Sequence, residues 1–370
     1  MTPVRTGLHR PRTSLEDNGA TMTQAPTPVP TAPAVRRLVR TLLGEGRAGP
    51  ADGPGVRPVD GSGGTAWWVG TRHVLRLAPD REAAARRRRE PRLRELVRPQ
   101  LPVAVPVSVA HGEWAPGLPC TLDTRLTGGT PDEHEVSAAG EADLAGLLGG
   151  LREVPVRRAE ALGVPRTSPR SLEALRRAAE GAARRLAEAG EFDAARLAQL
   201  TPAGTAQLAA QPGTAALVHH RLDAGHLVVG ADGRVRGVLG WSDAVIGDPA
   251  EDIAALALAV GSPAAVRAAT LAGYGARPCL RGLWLARCES LLRCAEALTT
   301  AGPAPGLPPA PADRMRRAWE PILLERVTEL REDTDGPDAG HPEAGRGGAG
   351  RSAADGPRAA GPDDAGPRPR

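Results

Sequence analysis

The stretch from Leu217 to Ala254, LVHHRLDAGHLVVGADGRVRGVLGWSDAVIGDPAEDIA, decides the reading of this chain. Its opening sets His219, His220 and His226 around Arg221 and Asp223, between short apolar runs. Polar side chains bunched between hydrophobic segments mark a loop that a scaffold holds up for chemistry. After an Asp-Gly turn at Asp232–Gly233, the residues RVRGVLG alternate as a half-buried strand does. A helical pattern, PAEDIAALALAVG, follows. Asp248 is placed to cap that helix, and Asp252 to pair with a group on the loop.

The flanks of this stretch differ in character. On the N-terminal side, AVRRLVRTLLGEG has a helical period and stops at Gly44. GSGGTAWWVGTRHVLRLAP predicts two strands, 65–69 and 73–77, after a glycine-rich turn. DREAAARRRREPRLRELV predicts a helix with a kink or break at Pro91. LPVAVPVSVAHGEW and LPCTLDTRLTGG read as further extended segments. Beyond Gly129 the patterns are mostly helical. Ser168 before Pro169 reads as an N-cap, and Trp284, Cys288 and Leu291 share the buried face of a later helix. The expected organisation is a disordered N-terminal segment over 1–33, a β-rich lobe over 34–125, a helical lobe over 126–330 and a disordered, low-complexity tail over 331–370. Met22 offers a second possible start.

Composition narrows the function classes. The net charge is +4 and every one of the 47 basic side chains counted as Lys or Arg is arginine. Most are interleaved with acids, as on a solvated surface. The sharpest basic run, Arg86 to Arg89, has no interleaved aromatics and no nucleic-acid reader motif, which argues against a nucleic-acid partner. The four cysteines lack CxxC spacing and read as reduced, buried thiols. No run approaches the roughly 20 apolar residues of a membrane span, and the N-terminus lacks the apolar core of a secretory signal, so a cytoplasmic location without a membrane partner is expected.

The order of elements and the residues of the central stretch together resemble the aminoglycoside phosphotransferase (APH) family over nearly all of 34–330. These are small-molecule kinases with a protein-kinase-like fold. Family members read H-x-D-L-x-x-x-N/H-L-L-V, then G-x-V-x-G-V-I-D-W, then G-D-P-x-x-D-x-A. This chain supplies His219, Leu222, His226, Leu227 and Val229, then Gly233, Val235, Gly237, Val238 and Trp241. Gly247, Asp248, Pro249, Asp252 and Ala254 complete the match. The resemblance implies an α+β, two-lobe fold with a small β-rich N-lobe and a larger helical C-lobe. It also implies ATP and Mg2+ as cofactors and a small-molecule acceptor, with an aminoglycoside, a macrolide or a metabolite as candidates. Gly61, Gly63 and Gly64 fall on the nucleotide-covering turn, Arg76 on the phosphate-contacting cation and Glu90 on its helix partner. Read without the resemblance, Arg76 and Glu90 are an ordinary strand residue and helix-face residue.

Phosphoryl transfer needs a carboxylate to orient the attacking hydroxyl, a metal ligand on the same loop and a second, metal-binding carboxylate. By resemblance these positions hold Arg221, His226 and Gly240. A guanidinium cannot act as a base. Glycine offers no side-chain ligand to a cation that prefers oxygen. The nearest substitutes are Asp223 as base and Asp243 beside His226 as metal ligand, with His219 organising the loop. Asp223 also fits a plain turn or an ion pair with Arg221. The spacing of His220, Asp223 and His226 would alternatively suit a transition metal. Two readings follow: an ATP-dependent phosphotransferase acting on a hydroxyl, or a catalytically degenerate, pseudokinase-like relative that binds nucleotide, small molecule or a protein partner. Arg221→Asp with Gly240→Asp is the restoration this alignment suggests.

Overall fold

Alternation along the first strands builds the small lobe. In the computed structural model, which describes residues 30–44, 55–211, 213, 215–300 and 307–322, α1 (Ala32–Leu43) lies against strands β1 (Val56–Pro58), β2 (Ala66–Val69) and β3 (His73–Leu77). Val35 and Val39 of α1 are buried with Trp67, Val69, Leu75 and Leu77, the inward-facing members of a period-two pattern. Helix α2 (Arg81–Val97) follows, then β4 (Ser108–Ala115) and β5 (Leu118–Thr124). The five strands form one antiparallel sheet in the order β1-β2-β3-β5-β4. The three-residue β1 is too short to show a period in the sequence.

α2 opens as expected, with Asp80 accepting from Ala83 N at 2.7 Å. It does not break at Pro91: one helix runs from Arg81 to Val97. Buried Glu90, Leu93, Arg94 and Val97 on either side hold it against the rest of the molecule, which outweighs the missing N–H. The basic run on α2 is engaged internally. Arg86 pairs with Glu82 and Asp243, Arg87 with Glu90, Arg88 with Gly117 O and Glu113, and Arg89 with Gly163 O and Ser242 O. Arg86 and Arg89 thereby fasten α2 to the second lobe.

That lobe comprises α3 (Ala138–Glu153), α4 (Val156–Ala161), α5 (Leu172–Glu188), the short α6 (Ala195–Ala198) and α7 (Pro202–Gln207), and, after the central stretch, α8 (Ala250–Val260), α9 (Ser262–Leu271), α10 (Ala276–Thr300) and α11 (Pro309–Ala318). Leu144, Leu147, Leu148, Ile253, Leu256, Leu283 and Leu291 lie in its core. Burial of each such side chain contributes about 1.5–3 kcal/mol. Trp284, Cys288 and Leu291 are buried on α10 as their spacing predicts, and all four cysteines are buried and free. α5 starts at Leu172, capped by Ser171 rather than Ser168. Ser171 is the residue whose hydroxyl reaches an open N–H, that of Ala174, at 3.2 Å. The expected tail over 331–370 and most of the expected segment over 1–33 lie outside the described residues, and α1 begins at Ala32.

Two small two-stranded sheets carry the central stretch, the second a hairpin nested between the strands of the first. β6 (Ala216–Val218) pairs antiparallel with β9 (Val245–Gly247), and β7 (Leu227–Val229) with β8 (Val235–Val238). Gly129 and Val229 exchange backbone hydrogen bonds of 2.8 Å in each direction, which ties the passage between the lobes to β7. The loop 219–226 is thus held at both ends by sheet.

Candidate active site

Backbone donors that leave β6 would be orphaned in the interior, so a buried acceptor is required there. Asp252, on the first turn of α8, is that acceptor. Its Oδ2 takes the N–H of His219 and its Oδ1 that of His220, both at 2.8 Å. Burial pushes the Asp252 carboxyl up to about 7, against the pull of these two N–H groups. His220 lies at φ 70°, a left-handed conformation that costs a non-glycine residue about 1 kcal/mol or more. The clamp holds the loop there.

His219 is fully buried, and burial together with the neighbouring His226 lowers its imidazole to about 3, so the ring is neutral. Its Nε2 donates to Leu239 O at 2.8 Å, and its Nδ1 accepts from Arg221 N at 3.3 Å. The edge of Trp241 packs on it, ring centroids 4.7 Å apart, while the indole N–H donates to Val238 O. His219 is therefore an organiser of the loop, and Trp241 is core. Asp248 bonds Ala250 N at the start of α8 and pairs with buried Arg281 at 2.6 Å.

The tip of the loop carries different chemistry. Asp223 Oδ1 accepts from Gly225 N at 3.1 Å and from His226 Nδ1 at 2.7 Å. Burial would raise this carboxyl, but His226, Arg221 and the Gly225 N–H outweigh it and hold Asp223 below the usual range. A carboxylate so engaged is a weak base. Arg221, at the position expected for the base, is 53% exposed and loosely held: Asp243 lies at 3.4 Å and Asp223 at 3.9 Å. Asp243 is also 3.5 Å from Arg86.

Gly240 has φ +79°, where side chains are disfavoured. A Cβ built on it would stand 2.1 Å from Cδ2 and 2.5 Å from Nε2 of His226. The imidazole fills the space a side chain at 240 would need. Position 240 therefore offers no side chain to Mg2+, and His226 has its Nδ1 committed to Asp223. Among the described residues, no group of three or more His, Cys, Asp or Glu could hold a metal ion. His220, Asp223 and His226 form no such group, and neither His226 nor Asp243 belongs to one. With its Cβ volume taken by the His226 ring, position 240 does not fit a side-chain ligand for Mg2+.

On the N-lobe wall, Gly61, Gly63 and Gly64 all have positive φ in the turn between β1 and β2, so this tight turn depends on glycine. Arg76 on β3 lies 3.7 Å from Glu90, which is 1% exposed and also 2.9 Å from Arg87. Burial raises the Glu90 carboxyl, yet Arg87, Arg76 and Arg94 outweigh it and keep the group below its ordinary range. Arg76, Trp68, Arg125, His226 and Leu239 line a cavity of about 160 Å3 between the lobes. The Arg125 guanidinium lies over the Trp68 ring, 4.3 Å from its centroid, and the Arg125 backbone N–H donates to Arg72 O. Ligand pockets commonly measure about 300–1,000 Å3, so this space suits a group no larger than a base.

A second cavity, about 660 Å3, opens on the other side of the loop, with Arg221 and Asp223 on one wall and α8 on another. The helix acids Glu173 and Asp193 do not face it and are engaged elsewhere. Glu173 bonds Arg176 and Thr205, and Asp193 caps Ala195. Instead Arg170, Glu251, Glu289, Arg293 and Arg314 face this cavity. No local pattern marks them, because Arg170 meets Glu251 and Glu289 across 81 and 119 residues of chain.

Residues 55–283, more than half of the chain, match the profile of the phosphotransferase enzyme family (APH). No curated protein matches the chain. Among solved structures, the GDP complex of wild-type aminoglycoside 2′-phosphotransferase-IIIa superposes with a TM-score of 0.52 at 18% identity, covering 81% of this chain and 99% of that one. A GDP and kanamycin complex of an aminoglycoside phosphotransferase gives 0.51 at 19% identity, covering 80% and 99%. The AMP-bound spectinomycin phosphotransferase gives 0.51 at 10%, covering 83% and 100%. These likenesses are of fold: an α+β, protein-kinase-like arrangement of a small sheet lobe and a helical lobe.

Proposed function

This chain belongs to the phosphotransferase enzyme family, and from that premise we propose that it is a ligand-binding member in which ordinary Mg2+-assisted transfer from ATP has been lost. One observation carries the reading: the His226 imidazole occupies the volume that a metal-binding side chain at position 240 would need. Arg221 supports it, since a guanidinium in the base position stays protonated and cannot accept a proton from a hydroxyl. The loop frame is kept, through Asp252, His219 and Trp241, so the cleft is held open for binding without the acids for turnover.

The second reading is an ATP-dependent kinase acting on a hydroxyl of a small molecule, an antibiotic or a metabolite. Family membership favours it, as do solved neighbours in complex with GDP, AMP and kanamycin. In that reading Gly61, Gly63, Gly64, Arg76 and Glu90 receive the nucleotide and Asp223, half exposed on the cleft, takes the hydroxyl proton. A cytoplasmic location accompanies both readings. It is supported by the buried free thiols. The decisive measurement is Mg2+-dependent ATP consumption with kanamycin and erythromycin as acceptors. No consumption above background is expected. Robust turnover that Asp223→Ala abolishes would overturn the binding reading in favour of the kinase.

A further inference from the structure

We propose that the cavity beside the loop binds a phosphate monoester of a small polyhydroxylated molecule, the chemical form that the family reaction would produce rather than consume. This rests on the reading that Arg221 stands where a hydroxyl-orienting carboxylate is expected. In a cleft with that carboxylate, an acceptor hydroxyl approaches it and a phosphate on the same oxygen is repelled. With Arg221 in its place the preference is reversed, because a guanidinium fork matches phosphate oxygens bidentately.

The rest of the cavity agrees. Its carboxylates are consumed by fixed partners. Glu251 takes the Nε of Arg170 at 3.0 and 2.9 Å on its two oxygens. Glu289 takes Arg170 at 3.0 Å and also pairs with Arg293. Asp223 Oδ1 is bound to His226 and Gly225. The cations are less committed. Arg221 has only contacts of 3.4 and 3.9 Å, and Arg314, exposed on α11, lines the cavity with no ion pair or hydrogen bond among the described residues. The charge left over is positive, which disfavours a polycationic aminoglycoside. Ala224, Ala255, Leu258 and Ala259 supply an apolar wall for a carbon skeleton, and a volume of about 660 Å3 accommodates a sugar-sized ligand.

The test is calorimetric titration of the full chain with hexose, pentose and inositol monophosphates, the parent sugars, inorganic phosphate and kanamycin, at low and high salt. At least one ester should bind, more tightly than its parent sugar or inorganic phosphate, with affinity falling as salt rises. Arg221→Gln should weaken that binding by about tenfold or more, and Arg314→Gln should weaken it as well, with unchanged melting temperatures as the folding control. Three results would each overturn the proposal: no binding across the ester panel, kanamycin binding more tightly than any ester, or ester binding indifferent to both substitutions. Inorganic phosphate binding as tightly as every ester would reduce the site to a simple anion patch and also overturn it. ATP turnover is measured on the same preparations. Turnover sinks the loss of phosphotransfer and leaves the ester site to be judged by the titrations. Absent ester binding without turnover sinks the ester site alone.

Discussion

On the N-lobe side of the cleft Glu90 is sealed from water beneath Arg87, Arg76 and Arg94, whereas on the C-lobe side Asp223 stands 47% exposed between His226 and Arg221. Both are carboxylates held ionised by positive neighbours or N–H donors, yet their surroundings assign them different work. Glu90 is a buried ion held by half-buried Arg76 and Arg87, with buried Arg94 nearby, so the cluster is part of the packing of α2 against the sheet. Asp223 is a turn residue whose charge is spent on its own loop. The contrast teaches that resemblance in residue type says little until the partners of each charge are known. The N-lobe holds a buried carboxylate between cations, whereas the C-lobe loop presents Arg221 beside a carboxylate engaged by its own turn.

The contrast can be broken most forcefully at Glu90. Glu90→Gln leaves Arg87 and Arg76 without the carboxylate they share, while Arg94 keeps its pairing with Asp123 at 3.0 Å. Urea unfolding should show a loss of about 3–5 kcal/mol; a loss under about 1 kcal/mol would mean that the cluster is not integral to the lobe. Next comes Gly240→Asp, which meets both a positive φ and the His226 ring. It should destabilise by about 2–3 kcal/mol. A double-mutant cycle with His226→Ser should return at least about 1 kcal/mol of coupling. Restoration of turnover should therefore need three changes, Arg221→Asp, His226→Asn and Gly240→Asp, and the pair lacking the His226 change should stay inactive in the ATP assay.

A smaller effect sharpens the comparison through pH. Asp252 is raised from 3.8 to about 7, so its contribution is present below 3.8 and is lost as pH rises through about 7. His219 is lowered from 6.5 to about 3, so its contribution is present above 6.5 and is lost as pH falls toward about 3. Between 3.8 and 6.5 the two slopes oppose each other in the wild type. Asp252→Asn removes the first slope and keeps a side-chain acceptor for one N–H. Its urea midpoint should fall more steeply on acidification across that window than the wild-type midpoint does. Equal slopes would show that Asp252 does not titrate there. The smallest effect is expected at Arg76→Gln, at most about 1 kcal/mol in the same unfolding assay. Its contact with Glu90 is 3.7 Å and Arg87 remains closer.

Much of the fold was legible because its signals are local. The pairing of His73–Leu77 with its neighbours, the cap at Asp80 and the buried face at Trp284, Cys288 and Leu291 follow from two-residue and 3.6-residue periods. Pro91 misled because its local penalty is overridden by the burial of Glu90, Leu93 and Arg94 in the same helix. Ser168 misled because the cap depends on which hydroxyl reaches an open N–H, and that is Ser171. In the site, Asp252 could be placed as a loop partner from its spacing, but the two N–H groups it accepts became visible only with the backbone path.

What the sequence determined by itself is chemical identity. A guanidinium at 221 cannot be a base and a glycine at 240 has no side-chain ligand for a metal, whatever the fold, because those properties belong to the side chain alone. What the tertiary structure decided is occupancy and partnership. Only packing places the His226 ring over Gly240, and only long-range contact consumes Glu251 and Glu289 on Arg170 while leaving Arg221 and Arg314 facing the cavity. The physical reason is range. Periodicity and capping act over a few residues, whereas the charge a cavity presents is the sum of side chains that the chain brings together from more than a hundred residues apart.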